Sequence, residues 1–586
     1  MEMKSRGSSS GRGQMALRKK GGFITMPFII VNEALAKVAS LGLGPNMILY
    51  LIRDYRLRIA IATKILLLSS AASNLTPLLA AFLADSYLGR FLSIGLGSIF
   101  TFLGMTLMWL TAMIPQARPP PCNHTTESCV PTTTWQFTLL LSCFALMAIG
   151  GGGLSCSLAF GADQVNRKDN PNNQRVLEIF FSWYYASTGI AVIIAFTGIV
   201  YIQDHFGWKL GFGVPASLSF LSAFFFFVAS PLYVKQKPNT SMFTGFVQVM
   251  VVSFKNRKLP LPPLNSDGMY HHNKDSDLIA PSDKLRFLNK ACIIKDPQED
   301  IASDGSASNP WNLCTAEQVE ELKAIIKIIP LWSTNIMMSV NANQGSFPLL
   351  QAKSLDRHII PTSSTFQIPA ASLPVIMILT IFLWVALYDR IILPLASKIR
   401  GKPVRINAKN RMGIGLCLYF LHLVSAAIVE TIRRSKAIKE GHIEDDDQVL
   451  DMSVLWLFPQ LFMAGIAEAF NAIGQQEFYY SEFPKTMSSI ASSLFGVGMA
   501  GGNLVATAVF SIVDDVSSRG GTQSWVCDNI NKGHYDRYYW ILASMGGGNL
   551  VYFLWCSWAY GPTSDEASIN GGSEGEIVSK EEEFTE

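Results

Sequence analysis

Charged side chains interrupt the apolar stretches of this 586-residue chain at a few places. Glu33 and Lys37 lie four residues apart in the first such stretch, so on a helix they share one face and can form an ion pair. Ionisable groups at membrane depth are costly, and they mark substrate or ion pathways when they occur. The pair is therefore either part of such a pathway or a purely structural contact.

Five further ionisable residues fall within or beside later apolar stretches. Glu468 and Glu477 share one stretch, and the same two interpretations apply to them. Glu178, Lys323 and Lys327 lie close to the ends of their stretches, where a long side chain can reach the polar interface of a membrane. For these three residues, an interfacial location is the alternative to a functional one.

The composition places these residues in an integral membrane protein. Hydrophobic residues make up 49% of the chain, mean hydropathy is +0.27 and charged residues make up only 16%, whereas a soluble domain carries about 25% charged residues. A helix needs roughly 20 mostly apolar residues to cross a bilayer, so the sequence predicts an all-α membrane protein with about twelve membrane-spanning helices. The spans are expected near residues 24–52, 62–84, 91–114, 137–161, 176–202, 208–233, 317–347, 366–388, 412–433, 453–480, 488–513 and 537–560.

Lysine and arginine residues predict the orientation of the chain. They gather in the N-terminal tail and in loops on the same side, which the positive-inside rule places in the cytosol. The basic loop near Arg53, Arg56, Arg58 and Lys64 falls outside and is an exception. The predicted regions are a cytosolic tail at 1–21, a six-helix bundle at 22–233, a central cytosolic loop at 234–316, a second six-helix bundle at 317–560 and an acidic cytosolic tail at 561–586.

The outer loop after the third span carries features that fit this orientation. Cys122 and Cys129 lie on the outer loop after the third span, where they either close a small disulfide or remain unpaired thiols. Asn123 begins an Asn-His-Thr sequon on the same loop and is a glycosylation candidate.

In the central loop, Ser282 precedes a weakly amphipathic run and can cap a helix there. This loop is interpreted as a tether between the bundles, with regulation through its serines as the alternative.

Other classes of protein lack support in the sequence. A formal net charge of +3 is too small to indicate nucleic-acid binding. The sequence has no HExxH, P-loop or Gly-x-Ser-x-Gly motif and its eight histidines are scattered, so we expect no enzyme activity, no metal site and no cofactor. No cleaved signal peptide is expected before the first apolar stretch.

Several sequence blocks occur in the order and spacing of a known family. The loop between spans two and three, which holds Asp85 and Arg90, resembles the gating loop of the major facilitator superfamily. The other blocks lie at 160–164, 180–185, 207–213, 309–315, 318–323, 329–332, 388–390 and 474–480. From about residue 21 to residue 561 the chain resembles the plant nitrate/peptide transporter family, the plant branch of the proton-coupled oligopeptide transporters, and its first subfamily most closely.

The resemblance implies a major facilitator fold, in which two six-helix bundles enclose a central cavity and alternate access to it, usually with proton symport. The substrates of the family include nitrate, small peptides, hormones and glycosylated metabolites. The resemblance assigns proton coupling to Glu33 and Lys37, gating to Asp85 and Arg90, and a plasma-membrane location, with the vacuolar membrane as the alternative. The residues that it and their span positions place at the cavity are Asn74, Tyr184, Trp332, Asn335, Asn341, Glu468 and Glu477, each with packing as its alternative.

The sequence departs from the family at three places. The family's first span reads Glu-x-x-Glu before a basic residue, but Ala36 replaces the second carboxylate here. Its fourth span usually has Gly-Ile-Lys/Arg-Pro, but residues 152–156 contain neither the basic residue nor the proline. In the family these charges approach one another, and losing one alone would strand a buried charge at roughly 3–5 kcal/mol. In span seven, Asn341 lies where a nitrate carrier of the family has a histidine.

These observations predict a secondary transporter of nitrate or a small organic solute. Proton coupling through Glu33 is favoured, and an uncoupled facilitator of the same substrates is the alternative. A membrane sensor that binds a solute without transporting it is the other alternative, and a measurement of flux separates it from a transporter.

Overall fold

The computed structural model describes residues 21–120, 130–165, 173–235, 242–262, 269–272, 281–302, 305–342, 346–358, 367–401, 406–444, 448–483, 487–521 and 523–562. The α-helices of the first half are α1 (Met26–Leu43), α2 (Met47–Arg53), α3 (Ile59–Leu83), α4 (Arg90–Met113), α5 (Thr134–Leu154), α6 (Ser157–Val165), α7 (Asn173–Ile194), α8 (Val200–Val228) and α9 (Met242–Lys255). The later helices are α10 (Arg286–Asn289), α11 (Pro297–Asp300), α12 (Ala316–Ala342), α13 (Ser346–Lys353), α14 (Pro374–Leu387), α15 (Leu393–Arg400), α16 (Ala408–Lys439), α17 (Phe458–Glu482), α18 (Ser488–Ser517) and α19 (Tyr535–Tyr560). Two short strands, β1 (Leu355–Asp356) and β2 (Leu450–Ser453), pair in parallel.

Nine helical segments of the described residues are long and apolar enough to cross a membrane. One of them, Arg175–Leu232, contains two crossings, because the backbone turns at Gly207, which has a φ of 76° that favours glycine. The 27-residue α12 and the 26-residue α19 are also long enough to cross. Together these segments give six crossings before the central loop and six after it.

The first predicted span differs from the observed structure. Residues 24–52 form two helices, α1 and α2, which are separated at residues 44–46. The physical reason is Pro45, which has no backbone N–H to continue a helix.

Adjacent helices of the first bundle pack at backbone distance. A Cβ atom at Gly150 would lie 2.2 Å from the side-chain oxygen of Thr101, and one at Gly153 would lie 2.4 Å from the carbonyl oxygen of Ser93. Small residues at such contacts let α4 and α5 approach closely, which gives dispersion contacts where lipid provides no hydrophobic driving force.

The central loop folds back onto the start of α12. Leu288 and Cys292 are buried in the same apolar cluster as Val319 and Leu322 of α12. Burial raises the pKa of the Cys292 thiol to about 12, so this thiol stays protonated. Ser282 does not cap a helix as predicted, because α10 begins only at Arg286 and the Ser282 hydroxyl donates to a carboxylate of α12 instead.

A buried ion pair lies near one end of the second bundle. Arg433 and Glu430 of α16 are 1% and 0% exposed, and their side chains meet through two hydrogen bonds of 2.8 Å. Arg433 also donates to Asn531 at 2.7 Å, and Gln351 donates to Glu430 at 2.6 Å. The network therefore ties α16 to α13 and to the loop before α19.

We predict that Arg433→Met lowers the free energy of unfolding by about 3–5 kcal/mol, because it leaves the Glu430 carboxylate buried without its cation. Thermal unfolding of the detergent-solubilised protein measures the loss. Lys436→Met is the matched control, since Lys436 is partly exposed in its ion pairs and should cost less than about 1 kcal/mol. Equal losses for the two variants would contradict the assignment of Arg433 to a buried network.

Candidate functional site

The structure brings Glu33, Lys37 and Tyr184 together between α1 and α7. The Lys37 ammonium lies 3.7 Å from one oxygen of the Glu33 carboxylate, and the side chain of Lys37 is 45% exposed while that of Glu33 is 5% exposed. The phenol group of Tyr184, which is itself buried, interacts with the same carboxylate. The second oxygen of Glu33 has no hydrogen-bond partner within the described part of the chain. Glu33 is thus a buried carboxylate with unused hydrogen-bonding capacity.

Two of the three positions where the sequence departs from the family pattern belong to the same apolar cluster. Ala36 of α1 lies in one buried cluster with Leu154 and Cys156, which come from the altered stretch at residues 152–156. The side chains of this cluster are apolar, so none of them carries a charge that needs a partner. This arrangement agrees with the argument that the two charges were lost together, because either one alone would have been stranded.

Glu468 is a further ionisable candidate, and it lies on α17. Its residue is half-buried, and it lies near Tyr419, which is buried on α16. No ion pair or hydrogen bond reaches its carboxylate among the residues that the structure describes. An unpaired carboxylate in the middle of a spanning helix is costly, so Glu468 is a second candidate for a functional group.

Glu477 lies nine residues further along α17 and has a different environment. The Arg411 guanidinium donates to its carboxylate at 2.6 Å and also lies 4.9 Å above the ring of Tyr388. Both side chains line an open groove of about 390 Å³ with Gln476 and Tyr480. The groove combines a guanidinium, a carboxylate, an amide and a phenol, which can orient a small polar solute by hydrogen bonds.

The remaining candidates for the cavity make contacts within the protein. The Trp332 indole donates to the carbonyl oxygen of Leu494 at 2.9 Å, and the Asn74 amide donates to Ser70 on its own helix at 2.9 Å. Asn335 is buried, and its amide donates to the Tyr479 hydroxyl at 3.4 Å. These contacts tie α12 to α18 and α17. Other predicted groups lie outside the described residues: Cys122, Asn123, Cys129 and the side chains of Glu178 and Asn341.

The two lysines of α12 are paired. Lys323 is buried and lies 2.8 Å from Glu320, and Lys327 lies 3.0 Å from Glu482 of α17. Neither ammonium is therefore a lone charge that a substrate would have to neutralise.

The predicted gating residues, Asp85 and Arg90, belong to a network of three charged side chains. Arg90 begins α4 and lies 3.3 Å from Asp85, which precedes it on the same turn. Arg90 lies closer, at 2.7 Å, to Asp163 of α6. The guanidinium thereby holds the α3–α4 turn against the end of α6, as expected for a loop that fixes helix ends within one bundle.

Contacts between the two bundles converge at the opposite end of α3. The Lys64 ammonium of α3 lies 3.3 Å from Asp514 of α18, and the Ile59 backbone N–H donates to Asp528 at 2.7 Å. Beside them, one apolar cluster includes Tyr50 and Ile65 of the first bundle together with residues of the second. These contacts close the space between the bundles at this end.

Comparisons with known proteins decide the family. A model described as the POT family matches residues 91–526, about three quarters of the chain. The chain belongs to the POT family. Among its POT relatives are Protein NRT1/PTR FAMILY 1.2 and 1.1 of Arabidopsis thaliana, which are 57% and 55% identical to it over 97% and 94% of this chain and 94% of each relative. These matches confirm the family that the sequence blocks predict, including its first subfamily.

Solved structures of POT transporters share the fold. They include an auto-inhibited POT family peptide transporter, with a TM-score of 0.66 and 17% identity, and PepTSo, with a TM-score of 0.65 and 16% identity. Each match covers 92% of this chain and 98% of the solved one. The predicted major facilitator fold is thus confirmed. As a POT family member, the chain is a multi-pass membrane transporter and not an enzyme.

Sequence reasoning missed the partners that come from distant segments. Asp163 lies in the block at residues 160–164, which supports only the resemblance, and the pairing of Arg411 with Glu477 is not among the predictions. Lys64 was counted with the exceptional outer loop, and its partner Asp514 was not considered. The only available signal was an opposite charge on another span, which many residues share.

Within the described residues, no group of three or more His, Cys, Asp or Glu side chains could hold a metal ion.

We predict that Asp514→Asn loosens the contact between the bundles, because it removes the charge that pairs with Lys64. A cysteine introduced at the buried Ala60, which shares a helix face with Lys64 and an apolar cluster with residues of the second bundle, should then react about two to five times faster with a polar thiol reagent, since a partly exposed ion pair contributes up to about 1 kcal/mol. The measurement uses a background in which Cys417 and Cys527, the cysteines of the described residues that are not buried, are serine together with Cys122 and Cys129.

The matched control for this prediction is Asp204→Asn, which removes an exposed carboxylate elsewhere in the first bundle. It should leave the labelling rate unchanged. Labelling at Ala60→Cys that is equally slow with and without Asp514→Asn would show that the ion pair does not hold the bundles together.

Proposed function

We propose that the chain is a proton-coupled secondary transporter that works by alternating access. Glu33 carries the proton, Lys37 and Tyr184 set its environment, and the bundles open and close around the space between them. The observation that carries the proposal is the buried Glu33 carboxylate, which keeps one oxygen without a hydrogen bond among the described residues. Protonation makes that carboxylate neutral and changes its attraction to Lys37, which links proton binding to the position of α1.

The substrate is a small polar solute, either nitrate or an organic molecule such as a peptide, hormone or glycoside. The groove beside Arg411 and Glu477 supports this proposal, because its mixture of charged and neutral polar groups suits a solute with several hydrogen-bonding positions. The relatives named NRT1/PTR FAMILY 1.2 and 1.1 support the same choice. Glu468 is proposed to face the substrate from α17. The plasma membrane is the proposed location.

An uncoupled facilitator is the second candidate, and one observation favours it. Ala36, Leu154 and Cys156 fill an apolar cluster where the family pattern has a carboxylate near a basic residue. If proton binding at Glu33 depended on those charges, flux would follow the gradient of the substrate alone.

Uptake into oocytes at acidic and neutral external pH tests the proposal, with labelled nitrate and a panel of hormones, peptides and glycosides. We predict that acid stimulates uptake of at least one compound and that Glu33→Gln removes essentially all of the stimulated component, because the amide cannot bind the proton. Glu299→Gln, on the exposed α11, is the matched control and should retain the stimulation.

Two other outcomes contradict the proposal in different ways. Uptake that is indifferent to both pH and Glu33→Gln identifies a facilitator. No uptake of any compound, with the protein shown at the cell surface, contradicts transport of these substrate classes and favours a sensor.

A further inference from the structure

Ser282 holds the central loop to the second bundle through a compact set of contacts. Its hydroxyl donates to the Glu320 carboxylate, lying 2.9 and 3.0 Å from the two oxygens, and its backbone N–H donates to Glu320 at 2.8 Å. The Lys323 ammonium donates to the Ser282 carbonyl oxygen at 2.7 Å and to the Ser282 hydroxyl oxygen at 3.2 Å. Both partners are on α12, so one exposed serine carries the polar attachment between residues 281–293, here called the docked segment, and that helix.

The charges around Ser282 are already balanced. Lys323 is buried and lies 2.8 Å from Glu320, so one ammonium neutralises one carboxylate. Asp283 and Arg286 form a second pair at 3.3 Å within the docked segment itself. Any negative charge added to the Ser282 oxygen would therefore be in excess, and it would lie within about 3 Å of the Glu320 carboxylate, a like charge.

The geometry points to Ser282 as a phosphorylation site whose modification detaches the docked segment from α12. An ATP-dependent protein kinase supplies the phosphoryl group: the bond from the γ-phosphorus to the bridging oxygen of ADP breaks, a bond from the Ser282 oxygen to phosphorus forms, and the hydroxyl proton passes to a base of the kinase. The serine side chain loses its only donor and gains a charge of about −2. The hydrogen bonds to Glu320 then become a repulsion between two acceptors.

Detachment of the docked segment affects the membrane-spanning helices through α12. This helix is the first of the second bundle, and it contacts α18, which joins the first bundle through Lys64 and Asp514. The docked segment also buries Leu288 and Cys292 against α12, so its release removes apolar contacts as well as polar ones. The inference depends on the proposed function only in taking the central loop to be cytosolic, where a kinase can reach it.

Two measurements on the full-length protein test the inference without any substrate. Phosphopeptide mapping of protein purified from plant cells with phosphatase inhibitors is expected to find phosphate on Ser282. Hydrogen–deuterium exchange in lipid nanodiscs is expected to show that Ser282→Asp speeds exchange of the docked-segment amides about tenfold or more. Neither measurement depends on flux. A protein that does not transport the tested substrates would therefore still give the expected phosphopeptide and exchange results if the inference about Ser282 is correct.

Two variants make the exchange experiment specific. Ser308→Asp adds the same charge to another exposed serine of the loop and should leave exchange of the docked segment unchanged. Glu320→Gln combined with Ser282→Asp should return exchange towards the rate of Glu320→Gln alone, because a glutamine amide can donate to the new carboxylate.

Two results would overturn the inference about Ser282. Exchange that is unchanged or slower in Ser282→Asp, as would follow if Lys323 captured the new charge and held the segment in place, would overturn the detachment. A Ser282 peptide that is recovered only in unphosphorylated form from cells would overturn its assignment as a modification site.

Discussion

A bilayer offers no hydrogen bonds to a charged side chain, so every ionisable group in a spanning helix must find its partners inside the protein. Arg433 and Glu430 meet this requirement fully, with two hydrogen bonds to each other and further ones to neighbouring segments. Glu33 meets it only in part, since Lys37 lies at 3.7 Å and one carboxylate oxygen has no partner among the described residues. A satisfied pair stabilises one arrangement, whereas a partly satisfied carboxylate can change its charge and its contacts.

The same requirement explains how the chain tolerates its departures from the family pattern. Ala36 belongs to one buried apolar cluster with Leu154 and Cys156, so the loss of both charges leaves neither member of the family's pair without its partner. Packing energy replaces an ion pair that would have required desolvation, and such replacements are often neutral or stabilising. The fold can therefore accommodate this change, and the effect that we expect is on the proposed proton coupling.

The sequence predicts local relationships well and distant ones poorly. Helices follow from about 20 apolar residues, and the contact of Glu33 with Lys37 follows from a spacing of four. The pairing of Lys64 with Asp514 joins residues 450 positions apart, and nothing in a single sequence specifies which of many opposite charges will meet. For the same reason, the sequence does not predict that the Trp332 indole donates to a carbonyl oxygen of helix α18.

Alternating access is the central claim of this account, and distances between spin labels at the two ends of the bundles test it most directly. Exposed positions Arg58 and Asp515 report on the end where the bundles touch, and Tyr87 and Ile399 report on the other end. In nanodiscs, the account predicts two distance populations at each end, with the first pair lengthening as the second shortens when the pH is lowered. A single unchanging distance at both ends, at every pH and with every candidate substrate, would contradict it.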